Sequence, residues 1–275
     1  MIEKTLRAFD IEKIALSGQC FRIKFIDKNK VRAITKDKYT EIEKINSNVY
    51  KFSCSEDDFE NTWKHYFDLD NDSFYENYYQ RVLDYKGFGH EFIFNASKSA
   101  FGMRILNQEP FETLISYIIS QRNNIKRISG AVESLSNEIG ESHTDEMTGK
   151  TFKSFPSCDD ILSHPEVFDT VHLGYRDEYV KDASKYVKSY GISSLDTFDK
   201  AKDLNGVGDK VANCYCLYGL HQLDSFPIDI WMKRILADKF NNSTEFLSGF
   251  TGMEGLLQQM MFYYGRESQG KLVRL

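Results

Sequence analysis

Between Cys20 and Cys54, apolar and polar positions alternate in short runs, CFRIKFI, KVRAITK, YTEIEKI and NVYKFS. These runs are rich in β-branched and aromatic residues, and polar turns such as Asp27-Lys28-Asn29-Lys30 separate them. A period of two is that of a half-buried strand, so the stretch predicts an antiparallel meander. Ser53 to Glu56 then offers the chemistry of a helix cap, and from about Tyr75 the apolar period changes to 3.6 and stays there. Pro110 suits the first position of a helix, where its missing N–H is harmless, and Phe111, Leu114, Ile115, Ile118 and Ile119 make one broad apolar face behind it. Further helices are predicted over 124–139, 175–189, 209–219, 229–240 and 252–265, and Gly140 to Pro156 reads as a surface loop. The expected fold is α+β: an antiparallel β-rich N-terminal domain, residues 1–95, followed by an all-α domain, residues 96–275.

Composition agrees with a folded chain. Of 275 residues 41% are hydrophobic and only four are proline, which is ample apolar material for two cores. No apolar run approaches the ~20 residues of a membrane span, so no membrane partner is expected. The N-terminus lacks the basic start and apolar stretch of a secretory signal, and the cytoplasm is the expected compartment. Five cysteines, none in a C-x-x-C pair, argue for reduced thiols rather than disulfides or a zinc ribbon. The acidic DLDNDS at 68–73 begins like a calcium loop, but Ser73 replaces the required glycine and Tyr79 the bidentate glutamate. A net charge of −6 disfavours a polyanion partner until its distribution is considered. Residues 55–76 hold eight acids and one base, so the rest of the chain is close to neutral.

Candidate chemistry concentrates in Leu204-Asn205-Gly206-Val207-Gly208-Asp209-Lys210-Val211-Ala212-Asn213-Cys214. Gly206 and Gly208 flank Val207 and let the backbone turn tightly beside a ligand, and the free N–H groups of the following helix suit a phosphate oxygen. An isolated G-V-G is more often a plain helix–helix corner. Here the amphipathic Leu195 to Ala201 precedes it, so residues 195–219 form a candidate helix-hairpin-helix. Nineteen residues beyond Lys210, Asp229 stands at the start of another helix, where an Asp alone would be an ordinary N-cap.

With these motifs the sequence resembles the helix-hairpin-helix DNA glycosylase superfamily, and within it the 8-oxoguanine DNA glycosylase/AP lyases. LNGVGDKVANC at 204–214, FPID at 226–229, SGQCFR at 17–22, HLGYRDEY at 172–179 and SQRNNI at 120–125 carry the resemblance. It implies a TATA-binding-protein-like N-terminal domain and a bifunctional enzyme without metal or cofactor. Such an enzyme acts as a monomer on double-stranded DNA containing oxidised guanine, in the nucleoid or, in a eukaryote, the nucleus. Lys210 would be the nucleophile and Asp229 the group that stabilises positive charge on the sugar. The flipped base would lie between Cys214 and Phe262, with Gln258 on its Watson–Crick edge and the Gly18 carbonyl accepting from N7–H, a donor that guanine lacks. Gln259 offers an alternative register for Gln258. On the resemblance Tyr175 would wedge into the vacated gap, Arg176 and Arg127 would contact the orphaned base, and the hairpin Gly206-Val207-Gly208 would meet the backbone.

Three departures from the family pattern stand out. Arg122-Asn123-Asn124 replaces three successive asparagines, of which the first reads the orphaned cytosine, so relaxed opposite-base selectivity is expected. Trp231 stands where the family carries His, and Gly265 where it carries the Asp partner of that His. Two alternatives remain at this point: a glycosylase of the same fold for alkylated bases, whose members lack the lysine, and a non-catalytic DNA-binding module, which needs neither Lys210 nor Asp229. The acidic run 55–76 is expected to face away from DNA, with Lys210, Arg122, Lys126, Arg127, Arg176, Lys181 and Lys233 on or near the other side.

Overall fold

A computed structural model describes residues 1–275. Five strands form one antiparallel sheet in the order β1-β5-β4-β3-β2. They are β1 (Ile2–Thr5), β2 (Lys24–Phe25), β3 (Lys30–Thr35), β4 (Lys38–Lys44) and β5 (Val49–Phe52). The predicted meander is present, with Thr35 opposite Lys38 across a tight turn and Ile42 opposite Phe52. β1 was not expected; it closes the β5 edge with Ile2 opposite Phe52. Most of CFRIKFI leaves the sheet, because residues 17–23 turn inward between the two halves of the molecule.

One face of the sheet packs on α1 (Ile11–Leu16), burying Ile11, Ile14 and Ala15 against Val31, Ala33, Ile42, Tyr50 and Phe52. Trp63 and Phe67 close the same core from a broken helical stretch, α2 (Glu56–Asp58), a π-turn (Phe59–Trp63) and α3 (Lys64–Tyr66). The cap is Ser55, whose hydroxyl accepts from the Asp58 N–H, rather than Ser53, whose Oγ accepts from the Glu41 N–H across the sheet. The acidic run that starts here is partly neutralised within the fold: Lys4 pairs with Glu56, Lys38 with Asp58, Lys64 with Asp70 and Arg104 with Asp72.

The other sheet face holds Ile34 and Tyr39, and the segment 140–156 corrects the reading as a surface loop. It forms a hairpin of β6 (Ser142–Thr144) and β7 (Thr151–Lys153), whose buried Phe152 packs 5.5 Å from the Tyr39 ring. Strands of three residues with one apolar side chain carry too little periodicity to be read; the pairing surface comes from the sheet.

Everything else is helical. α4 (Asp72–Asp84) and α5 (His90–Ser99) bury Tyr75, Tyr78, Ile93 and Ala96 in the large second core, although α4 and the start of α5 precede residue 96. α6 (Pro110–Ile119) runs through the middle of that core with eight of its ten residues buried, and α7 (Ile125–Ile139) follows it. α8 (Cys158–Ser163), α9 (Val167–Val171) and α10 (Arg176–Tyr190) lead to α11 (Phe198–Lys202) and α12 (Asp209–Gly219). α13 (Ile230–Phe240) and α14 (Glu254–Glu267) complete the molecule. No helix is long and apolar enough to cross a membrane, and all five cysteines are free thiols.

Candidate active site

α11, the turn 203–208 and α12 make the expected helix-hairpin-helix. Gly206 has φ +79°, and a Cβ there would lie 2.3 Å from the Tyr179 ring, so both backbone and space demand glycine. Gly208 caps α12 in extended conformation with no side-chain bond to the first-turn amides, and a Cβ on it would meet nothing. The exposed start of α12 therefore keeps unpartnered N–H groups for an anion.

One residue into this helix, Lys210 reaches inward. Its Nζ donates to Ser120 Oγ at 2.8 Å and lies 4.7 Å from the centre of the Tyr117 ring. Ser120 Oγ in turn donates to the Tyr117 carbonyl at 2.7 Å, which fixes the hydroxyl as an acceptor toward the lysine. Cys214, one turn on, is buried; burial pushes its thiol up to about 11, against the nearby Lys210 charge, so it stays a neutral, small apolar surface.

Asp229 caps α13, one oxygen accepting from the N–H groups of Trp231 at 3.0 Å and Met232 at 2.9 Å. Burial raises its carboxyl above the ordinary range, while those two amides and the charges of Lys210 and Arg266 pull the other way. The Lys210 charge acts on the Asp229 carboxyl and favours its ionised form.

The third wall comes from the segment after α1, far earlier in the sequence, and from α14. The segment after α1 is pinned by Gln19, whose side chain donates to the Arg104 carbonyl and accepts from the Leu106 N–H, both at 2.9 Å. Its own carbonyl accepts from Gln108 and, at 3.2 Å, from Tyr117 Oη. Gly18, with φ +79°, is thereby presented to α14; a Cβ on it would lie 3.7 Å from Phe262 and 3.5 Å from Arg266. On α14, Gln259 is fully used, accepting from Tyr218 Oη and donating to the Ser17 carbonyl at 2.9 Å. Gln258 is buried with its Oε1 unpartnered, which leaves it the free acceptor of the two.

Lys210, Asp229, Cys214, Gly18, Phe262 and Gln258 thus lie on the elements that converge around α6. The remaining expected residues form a second group at the α6–α7 turn. Arg176 donates through Nε to the Gln121 carbonyl at 2.8 Å and through Nη1 to Leu173 at 2.9 Å, and stacks 4.5 Å from Tyr175. Its guanidinium holds the 120–124 turn, in which Arg122 has φ +47°, while Tyr175 is half exposed. Asn123 bonds locally to the Ile119 carbonyl and the Asn124 N–H; Arg122 and Arg127 are exposed. At the departures from pattern, a Cβ on Gly265 would lie 2.7 Å from the tip of the Ile235 side chain, which would have to shift for a larger residue, and the Trp231 ring is covered by Arg234 at 5.5 Å.

Ser120, Tyr117 and Arg266 were not singled out from the sequence. Ser120 opens the SQRNNI motif and Tyr117 lies one turn earlier, but only the fold brings α6 against α12. No cluster of three or more His, Cys, Asp or Glu is arranged to hold a metal.

Comparison with known proteins bears on the family and the fold. Residues 1–114 match the family model of the 8-oxoguanine DNA glycosylase N-terminal domain. An N-glycosylase/DNA lyase of Saccharomyces cerevisiae is 35% identical over 160 residues, 51% of this chain and 42% of that protein. A probable N-glycosylase/DNA lyase of Methanothermobacter thermautotrophicus is 30% identical over 213 residues, 64% of this chain and 67% of that protein. The match thus spans less than half the length of the yeast relative. Among solved structures, the 8-oxoguanine glycosylase/lyase of Clostridium acetobutylicum in its apo form superposes with TM-score 0.83 at 27% identity, over 95% of this chain and 94% of that one. The same protein with double-stranded DNA containing cytosine opposite 8-oxoguanine also gives 0.83 at 27% identity, over 96% and 93%. A 3-methyladenine DNA glycosylase of Archaeoglobus fulgidus, 16% identical with TM-score 0.75, shares the fold.

Proposed function

The chain belongs to the 8-oxoguanine DNA glycosylase/lyase family, and on that basis we propose that it excises 8-oxoguanine from duplex DNA and nicks the strand at the resulting site. The observation that carries this reading is Lys210 held between Ser120 Oγ and the Tyr117 ring, with the raised carboxyl of Asp229 facing it. A binding module needs neither group, and a glycosylase for alkylated bases that uses water needs no buried amine.

The chemistry follows from the arrangement. The hairpin amides and the exposed turn at 120–124 hold the backbone while the lesion is flipped out, at a cost of a few kcal/mol for unstacking and unpairing. Ser120 Oγ accepts a hydrogen bond from the ammonium, which aims the Lys210 Nζ; after the ammonium gives a proton to solvent, the neutral amine attacks the anomeric carbon and the bond to the base breaks, its electron pair leaving with the base, which takes up a proton. Asp229, as carboxylate, balances the positive charge that grows on the sugar. The sugar ring opens to an imine with Lys210, and loss of a proton from the neighbouring carbon expels the 3′ phosphate, which is the nick. Gln258 Oε1, a buried acceptor without a partner, suits the N–H donors of a guanine Watson–Crick edge. The Gly18 carbonyl, also an acceptor, suits the N7–H that oxidation creates, and guanine would present an unpaired acceptor there.

Site roles at the orphaned base belong to Tyr175, Arg176, Arg122, Asn123 and Arg127. With Arg176 bonded to the 120–124 turn and Arg122 in place of an asparagine, selectivity for the opposite base is relaxed. The chain works on DNA as a monomer, in a nucleoid or nucleus. Incision of duplexes carrying 8-oxoguanine opposite each of the four bases tests both parts. Incision in all four contexts, within about tenfold, is expected from the loss of one bidentate reader. No incision of any duplex contradicts the activity, and incision opposite cytosine alone contradicts the relaxed selectivity.

A further inference from the structure

α14 carries a buried charge that takes no step in the proposed chemistry, although it opposes the rise of the Asp229 carboxyl. Arg266 is 2% exposed and has no carboxylate within 4 Å. Instead, Nη1 donates to the Leu16 carbonyl at 3.3 Å, Nη2 donates to the Lys271 carbonyl at 3.1 Å, and the guanidinium lies 5.2 Å from the centre of the Phe262 ring. Nη1 is also 3.5 Å from where a Cβ on Gly18 would stand. Burying a guanidinium for two carbonyl bonds and one ring is an expensive way to fill space, which a methionine or leucine would do without desolvating a charge. What the guanidinium provides and an alkyl group does not is a rigid, directional bridge between two elements 250 residues apart.

Those two elements carry a face and an edge of the base pocket: Phe262 on α14, whose ring would stack on the base, and the backbone that leads from Leu16 to Gly18, whose carbonyl would meet the N7–H edge. Neighbouring Gly265 has no side chain to offer, and the helix makes its polar connection one residue later. Resting on the reading of this site as a base pocket, we propose that Arg266 is a positioning residue that sets the separation between the Phe262 ring and the Gly18 carbonyl, and so the fit of the flipped purine. Its cation also faces the ring, polarising the face opposite the base.

An abasic site has no base to be held, and this separates the role from a general structural one. Arg266→Met keeps an unbranched apolar stem and removes the guanidinium with its bonds. It is expected to slow single-turnover excision of 8-oxoguanine by about 10- to 100-fold, the range for misplacing a reacting group, while leaving cleavage of a preformed abasic site within about threefold. Arg266→Lys, which keeps the cation on the ring and one donor, is expected to fall between wild type and the methionine variant; it carries the comparison if the methionine variant fails to fold. Equal loss on both substrates, or undiminished excision in both variants, overturns the proposal. Wild-type protein assayed alongside separates the two claims: wild type that cleaves abasic sites but releases no 8-oxoguanine overturns the functional reading, independently of either variant.

Discussion

On the proposed reading Asp229 performs two tasks with one side chain, and substitution can divide them. As the cap of α13 it is replaceable by asparagine, whose carbonyl accepts the same amides; as the negative charge facing Lys210 it is not. Asp229→Asn is expected to reduce excision by about 10²-fold or more with no change in melting temperature, and Asp229→Ala to do the same while losing about 1 kcal/mol of stability. An active asparagine variant would contradict the electrostatic role. Because burial raises the carboxyl, wild-type excision should fall on the acid side at a pH above the ordinary aspartate range, as the group gains its proton. Lys210 and Asp229 were legible in the sequence because both stand at helix starts beside a recognisable hairpin. Ser120, Tyr117 and Arg266 were not, since a serine after an apolar helix, a buried tyrosine or an arginine near a helix C-terminus has an ordinary explanation until the fold shows its partner.

At the scale of elements, the helices with strong apolar faces were readable to within a residue or two: 124–139 is Ile125–Ile139 with Asn124 as its cap, and 209–219 is Asp209–Gly219. β1, β6 and β7 were not, because three or four residues hold at most two alternations, and what makes them strands is the partner beside them. The hairpin of the candidate site allows a direct comparison. Gly206→Ala is expected to destabilise the protein by about 1–2 kcal/mol or more, since it forces a left-handed alanine and pushes a methyl into the Tyr179 ring. Gly208 has an ordinary φ and open space, so Gly208→Ala should cost about 1 kcal/mol or less, as a change at a cap, yet weaken binding to duplex DNA by placing a methyl over the free amides. Equal melting temperatures for the two variants would contradict this account of the turn.

The two cores meet at a charged seam that no local pattern reveals. Arg22, 1% exposed, comes from the SGQCFR motif and lies 3.9 Å from Glu112 on α6 and 3.6 Å from Glu133 on α7, and donates to the Lys153 carbonyl of β7. The motif that reads as part of the base pocket thus also joins the halves. Burial pushes the Glu112 carboxyl up to about 7, with Arg22 opposing and Glu109 and Glu133 adding to the rise. Below about pH 4.5 the carboxyl is protonated in both folded and unfolded chains; between there and 7 the folded state holds the extra proton, so this group's contribution to stability falls as pH rises and is lost above 7. Glu112→Gln should therefore gain on wild type between pH 5 and pH 8 in denaturant titrations, by an amount on the order of 1–3 kcal/mol, whereas a pH-independent difference would contradict the buried carboxyl. On the proposed reading a rigid seam matters to function, because Gly18 and Lys210 belong to different halves of the molecule. The central claim is that the Lys210 amine becomes covalently joined to the sugar it attacks, and borohydride reduction during reaction with 8-oxoguanine duplex measures it most directly. Wild-type protein should give a stable protein–DNA adduct, and Lys210→Gln should give none while still binding the duplex. An adduct that survives the glutamine substitution, or none with wild type, would contradict the account.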